Sequence, residues 1–242
     1  MARELGVPLA TLGAAISSSP VLLRVSDPQM LGAAEKLERA GIAYFGPRPQ
    51  VMRVCYDKLQ ATRLAAAEGV ECPATALGNA AGAIGFPLVV KPRRGSDSLG
   101  LRLLDKGPLP PRYRTGEYVV QEFVRGAELT VAVLAGRVGR PLAIALPPGS
   151  VYSFARKYLL RPQREPLGDL ALAVRVRATA LKLARLFAVN WAARVDFIAE
   201  PGGRVCFLEC DVAPLIALGS AFAESLSAAG IDRAEQLRLL TA

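Results

Sequence analysis

Residues 193–211 read ARVDFIAEPGGRVCFLECD, two strand-like runs on either side of Pro201, Gly202 and Gly203. A turn centred between Gly202 and Gly203 makes them an antiparallel hairpin in which Asp196 lies opposite Glu209 and Arg194 opposite Asp211. Side chains alternate across a strand, so all four share one face. Carboxylates directly across a ladder repel each other, and something has to offset the cost. Two readings do so from these residues alone: a bound cation, or a salt-bridged surface ladder with Arg194 neutralising Asp211.

The chemistry open to the rest of the chain is narrow. Its 242 residues include no histidine, which removes the Ser-His and Cys-His nucleophilic designs and the common transition-metal ligand sets. Cys55, Cys72, Cys206 and Cys210 form no CxxC pair and read as buried reduced thiols. The net charge of +9 favours phosphate-bearing partners. Nucleic acid is the less favoured partner, because the arginines are dispersed and aromatics make up only 6%, thin for base stacking. Although 52% of residues are hydrophobic, no apolar run reaches the roughly 18 uncharged residues that a membrane span needs, so no membrane association is expected. The first twenty residues carry Glu4 and lack a continuous apolar stretch before a small-residue cleavage site, so the expected location is the cytoplasm.

Outward from the hairpin, the pattern is α/β. Residues 20–45 read as strand, helix and strand, the helix LGAAEKLERAG closing at Gly41. YDKLQATRLAAAEGV has apolar positions at helical spacing and ends at Gly69, and ECPATAL and IGFPLVVKP are extended around prolines. The run EYVVQEFVRGAELTVAVLAGRVGRPLAIAL reads as a three-strand antiparallel meander. A long basic loop between Pro147 and Pro166 has the length of a functional loop. A helix over 167–189 leads into the hairpin, and two more helices close the chain.

Lys91 ends the strand PLVVK and precedes PRRGSDSLG, a small-residue loop whose backbone N-H groups suit phosphate oxygens. It is not a Walker A loop, since no GK[ST] follows the glycines, and a hairpin tip has the same composition. The order of motifs carries more: YDK at 56–58, VVKPRRGSDSLG at 89–100, VVQEFVRGAELTV at 119–131, then RVDF and LECD. This order resembles the ATP-grasp superfamily. The likeness is strongest to the D-alanine-D-alanine ligase family from about residue 22 onward, and residues 22–77 also resemble amine ligases of the RimK and LysX type.

The resemblance implies an ATP-dependent carboxylate-amine ligase, most similar to those that make peptidoglycan precursors, with ATP and two Mg2+ ions, for which Mn2+ can substitute. Lys58, Lys91 and Lys157 would contact the ATP phosphates, Gln121, Glu122 and Val124 would line the adenine hinge, and Glu128 would hold the ribose hydroxyls. Val89 and Leu208 would sandwich adenine, although strict alternation sets Leu208 on the face opposite Glu209. Asp196, Glu209 and Asp211 would bind metal, Arg194 would stabilise the reacting acyl phosphate, and Tyr158 would belong to a lid over the acyl donor. Ser98 matches a loop serine of the ligases, and Ser220 matches the serine that receives the acceptor carboxylate.

Four features depart from the family pattern. Only the last strand-helix-strand portion of the N-terminal α/β domain is recognisable, Asp211 stands where the family has Asn, and Leu215 replaces the glycine after Pro214. In the phosphate loop, Asp97 replaces a common serine. The expected organisation is an N-terminal remnant over 1–50, a central subdomain over 51–116 and a C-terminal subdomain over 117–242, with small-molecule amino-acid substrates and, by resemblance, a homodimer. Two alternatives stay open: a peptide or amino-acid ligase of the RimK and LysX type, and an ATP-binding protein without turnover.

Overall fold

The computed structural model describes residues 20–25, 29–95, 100–145 and 163–242. Strand β1 (Val21–Leu22) and strand β2 (Tyr44–Phe45) pair in parallel, joined by helix α1 (Gln29–Arg39). This is the strand-helix-strand unit read from the sequence. Gly41 follows the helix with φ +67°, a left-handed conformation that glycine adopts without steric cost.

Helices α2 (Pro49–Tyr56) and α3 (Lys58–Ala67) break at Asp57, which is extended. Asp57 caps α3 by accepting from Gln60 N-H at 3.2 Å, so the break is itself a helix start. Helix α2 starts at Pro49, a residue favoured at the first helical position, and Arg48 ahead of it makes no side-chain cap.

A four-stranded antiparallel sheet has the order β3 (Thr75–Leu77), β6 (Tyr118–Glu122), β4 (Leu88–Pro92) and β5 (Arg102–Leu104). The larger sheet runs β10 (Arg164–Pro166), β9 (Leu142–Ile144), β7 (Ala127–Leu134), β11 (Ala192–Ala199) and β12 (Val205–Asp211), with β8 (Arg137–Val138) pairing with β7. The expected meander therefore holds for β7, β8 and β9 but not for its first run. Tyr118–Glu122 crosses to the other sheet, where Val90 and Val120 pair in the buried cluster around Tyr113. Strand alternation is the same in either sheet, so periodicity alone does not assign the partner.

Helix α4 (Leu170–Leu186), capped by Asp169, lays Val176, Ala180 and Leu183 on the face of the larger sheet that carries Val131, Val195, Phe197 and Phe207. Helix α1 and helix α2 join the same core through Leu37 and Met52. Helix α5 (Ala221–Ser227) and helix α6 (Arg233–Leu240) cover Ala132, Leu134 and Ala192. One apolar face of the larger sheet is thereby buried, and part of the other is left for polar chemistry. Gly126, at the entrance to β7, permits the close approach of β11: a Cβ there would stand 2.3 Å from the Ala199 carbonyl oxygen. All four cysteines are free thiols, and only Cys72 is partly exposed. Among the described residues no helix is long and apolar enough to cross a membrane.

Candidate active site

The hairpin register places Arg194 opposite Asp211 and Asp196 opposite Glu209, as the sequence reading expected. It arrives there by a different route. Near the turn the pairs are Ala199 with Val205, Ile198 with Cys206 and Phe197 with Phe207, one residue off the expected register. The pairing shifts between Phe197 and Asp196, so Leu208 is an extra residue on β12, a β-bulge. Cys206 shares a face with Ile198, and Glu209 shares that face with Asp196. The bulge therefore sets Leu208 and Glu209 on the same side of the strand, and Leu208 packs beside Val124, Ile198 and Cys206. Strict alternation had put Leu208 on the wrong face because it contains no bulge.

Arg194 is 7% exposed and stands among three carboxylates. Its Nε donates to Asp196 Oδ1 at 3.0 Å, its Nη2 donates to Asp196 Oδ2 at 3.0 Å and lies 3.7 Å from Glu209 Oε1, and its Nη1 lies 3.4 Å from Asp211 Oδ2. Burial would lower the Arg194 pKa, but Asp196 and Asp211 outweigh it and hold the guanidinium charged well beyond its ordinary range. Three carboxylates around one guanidinium leave negative charge in excess. Thr130, opposite Asp196 on β7, donates its hydroxyl to Asp196 Oδ1 at 2.7 Å. The sequence reading missed Thr130, because the β7 to β11 register is a long-range pairing with no turn to set it. Among the described residues the acids do not by themselves converge on a preformed metal cage.

From the facing sheet, Val89, Lys91 and Gln121 project on one side, with Val89 paired to Gln121. Gln121 donates from Nε2 to Thr75 Oγ1 at 2.8 Å. Glu122 falls on the opposite side at the strand end, where its carboxylate accepts from Ala74 N-H at 3.1 Å and lies 3.4 Å from Arg204 Nη1. Lys91 is 7% exposed. Burial lowers its pKa to about 8; Glu209 opposes the shift, Lys58 adds to it, and Glu128 and Asp196 oppose it more weakly. The Lys91 ammonium thus feels the carboxylates of β7, β11 and β12 from the facing sheet.

Lys58 opens α3 and donates from Nζ to the Gly95 carbonyl. Asp57 fixes it there. Its carboxylate accepts both 2.8 Å and 3.0 Å bonds from Arg93 Nε, and Lys58 N-H donates to the Arg93 carbonyl at 3.0 Å. Desolvation would raise the Asp57 pKa, but the Arg93 hydrogen bond overcomes it and the pKa is lowered. The helix start is thus clamped to the stem of the glycine-rich loop, a pairing with only the N-cap Asp to announce it in sequence. Tyr56, Lys58, Gly95, Glu209 and Asp211 line one crevice. Ser220 is buried and caps α5, accepting from Ala223 N-H at 3.2 Å. Ser98, Lys157 and Tyr158, with Asp97, lie outside the described residues.

Two antiparallel sheets that hold lysines on one side and a carboxylate-rich strand pair on the other define an ATP-grasp fold. A family model described as D-ala D-ala ligase C-terminus matches residues 62–240. The D-alanine-D-alanine ligase of Gloeobacter violaceus is 27% identical over 215 residues, which cover 81% of this chain and 71% of that protein. Among solved structures, a D-alanine-D-alanine ligase from Bacillus anthracis complexed with ATP superposes with a TM-score of 0.69 at 22% identity, covering 86% of this chain and 72% of that one. The VanG D-Ala:D-Ser ligase of Enterococcus faecalis gives 0.74 at 22% identity, over 89% and 68%. The chain belongs to the D-alanine-D-alanine ligase C-terminal family.

Proposed function

We propose that the protein is an ATP-dependent ligase that activates a carboxylate as an acyl phosphate and joins it to an amine, with D-alanine as both substrates and a peptidoglycan precursor as product. Membership of a ligase family supports the reaction class, since the relatives bear the name D-alanine-D-alanine ligase. The observation that carries it is the bulged hairpin, which sets Arg194, Asp196, Glu209 and Asp211 on one face opposite Lys91.

The residues fit a divalent cation. Hard carboxylate oxygens suit Mg2+, and the cluster holds more negative charge than Arg194 neutralises. Asp196, Glu209 and Asp211 would hold the two ions. When bound, Mg2+ supplies charge neutralisation at the phosphoryl oxygens in flight. The chain's own groups do the positioning. Lys58 and Lys91 bind the phosphates, and Lys157, outside the described residues, joins them by the family resemblance. Val89, Gln121, Val124 and Leu208 form the adenine slot, to which Glu122 contributes its backbone because its carboxylate is engaged elsewhere. Glu128 orients the ribose.

A donor carboxylate oxygen attacks the γ-phosphorus, and ADP leaves. The amine nitrogen then attacks the acyl carbon and phosphate leaves, giving the amide, ADP and phosphate. Arg194 balances the negative charge of the acyl phosphate. Tyr158 and Ser98, outside the described residues, keep the catalytic roles that the family resemblance implies, and Ser220 receives the acceptor carboxylate. The test is phosphate release with Mg2+ and ATP over a panel of D- and L-amino acids. Release is expected with D-alanine and absent when Asp196→Ala and Glu209→Ala are combined. If ATP binds but no amino acid stimulates release, the D-alanine assignment falls, leaving another substrate or ATP binding without turnover.

A further inference from the structure

Arg24 follows β1 and lies against the end of β12. Its Nη2 donates to the Pro214 carbonyl at 2.9 Å, while its Nη1 is buried and has no hydrogen-bond partner. A buried N-H of a charged group left unpaired is costly, and a guanidinium does not shed its proton to escape the cost. Among the described residues no other buried guanidinium nitrogen is in this position; Arg194, the comparable buried arginine, is met by Asp196 and Asp211. Burial lowers the Arg24 pKa, and Asp211, then Tyr56, oppose the shift; both line the crevice with Lys58 and Glu209. Its bond to the Pro214 carbonyl, three residues past Asp211, sets the orphaned Nη1 beside the crevice, behind the residues that line it and at the end of β12 away from Leu208.

We propose that Arg24 is a substrate-binding residue whose Nη1 takes a carboxylate oxygen of the acyl donor, next to Asp211. The inference rests on the ligase reading for its substrate and on the orphaned nitrogen for its chemistry. A charge-assisted bond from a planar guanidinium suits a carboxylate and orients it, because the Pro214 carbonyl already pins the other arm of the fork. With Nη1 matched, the bound state removes a desolvation cost that the unliganded protein carries.

The test compares wild type with Arg24→Met, which keeps the side-chain length and removes the charge. Hydroxylamine replaces the amine substrate, so that hydroxamate reports on donor activation alone. In Arg24→Met the KM for D-alanine is expected to rise roughly ten- to a hundredfold with the KM for ATP unchanged. Without nucleotide, D-alanine is expected to raise the melting temperature of wild type but not of Arg24→Met, and D-alaninamide, which lacks the carboxylate, that of neither. An unchanged KM for D-alanine overturns the proposal, as does a rise in both KM values together with a fall in melting temperature, the mark of a structural role. Inorganic phosphate stabilising as D-alanine does, and only with Arg24 present, overturns the carboxylate assignment. If wild type makes no hydroxamate from any acid, the ligase reading fails, and the carboxylate-dependent melting shift still decides the role of Arg24.

Discussion

Replacing Lys91 with methionine is expected to stabilise the unliganded protein and abolish its function, and the size of the gain follows from the burial of one ammonium. An ordinary lysine titrates at 10.5, whereas burial brings Lys91 down to about 8. Between those values the unfolded chain binds a proton that the folded chain does not, so the free energy of unfolding rises with pH across that window. Below about pH 8 both states are protonated and the whole penalty of confining the charge is present. The gap between 10.5 and about 8, at about 1.36 kcal/mol per pH unit, amounts to about 3 kcal/mol. Lys91→Met removes that penalty, so at pH 7 it is expected to be more stable than wild type by about 3 kcal/mol. At pH 10 the gain shrinks to under about 1 kcal/mol, because wild type has by then shed the proton. Urea denaturation of both proteins at the two pH values measures it. The variant is expected to release no phosphate from ATP, a site residue kept at the expense of stability. A variant less stable at pH 7, or a difference independent of pH, would refute the burial argument.

Two further perturbations address the hairpin. Thr130→Val removes the hydroxyl that donates to Asp196 Oδ1 while keeping the shape of the side chain; it is expected to cost about 1–2 kcal/mol in thermal unfolding and to raise the Mg2+ concentration needed for half-maximal phosphate release. An unchanged metal requirement would separate Thr130 from the site. Leu208→Ala, at the bulge, is expected to cost about 1 kcal/mol of stability, since the side chain is only partly buried, and to raise the KM for ATP several-fold without moving that for D-alanine. Equal effects on both substrates would place Leu208 outside the adenine slot.

The acidic face was legible because a Pro-Gly-Gly turn joins two alternating strands, and a short turn sets which residues meet. Its detail was not. The bulge at Leu208 adds one residue that no local signal marks, and it corrects a register that starts one residue off at the turn. The destination of Tyr118–Glu122 was hidden for a related reason: an alternating run declares its faces and not its partner strand. Lys58 and Lys91 were visible as motif residues, but the Arg93 clamp on Asp57 joins side chains 36 positions apart and appears only once the loop stem folds against α3. Thr130 and Arg24 belong to the same class. Each is an ordinary residue in its own segment and acquires meaning from Asp196 or Asp211, which reach it through long-range packing.

Activation of the donor through an acyl phosphate is the central claim, and oxygen transfer tests it directly. D-alanine labelled with oxygen-18 in its carboxylate, turned over with ATP and Mg2+, is expected to yield D-alanyl-D-alanine together with phosphate that carries one labelled oxygen from the donor. Phosphate formed without the label, or ADP produced with no dipeptide, would contradict the account and leave the site as one that binds or hydrolyses ATP without ligating.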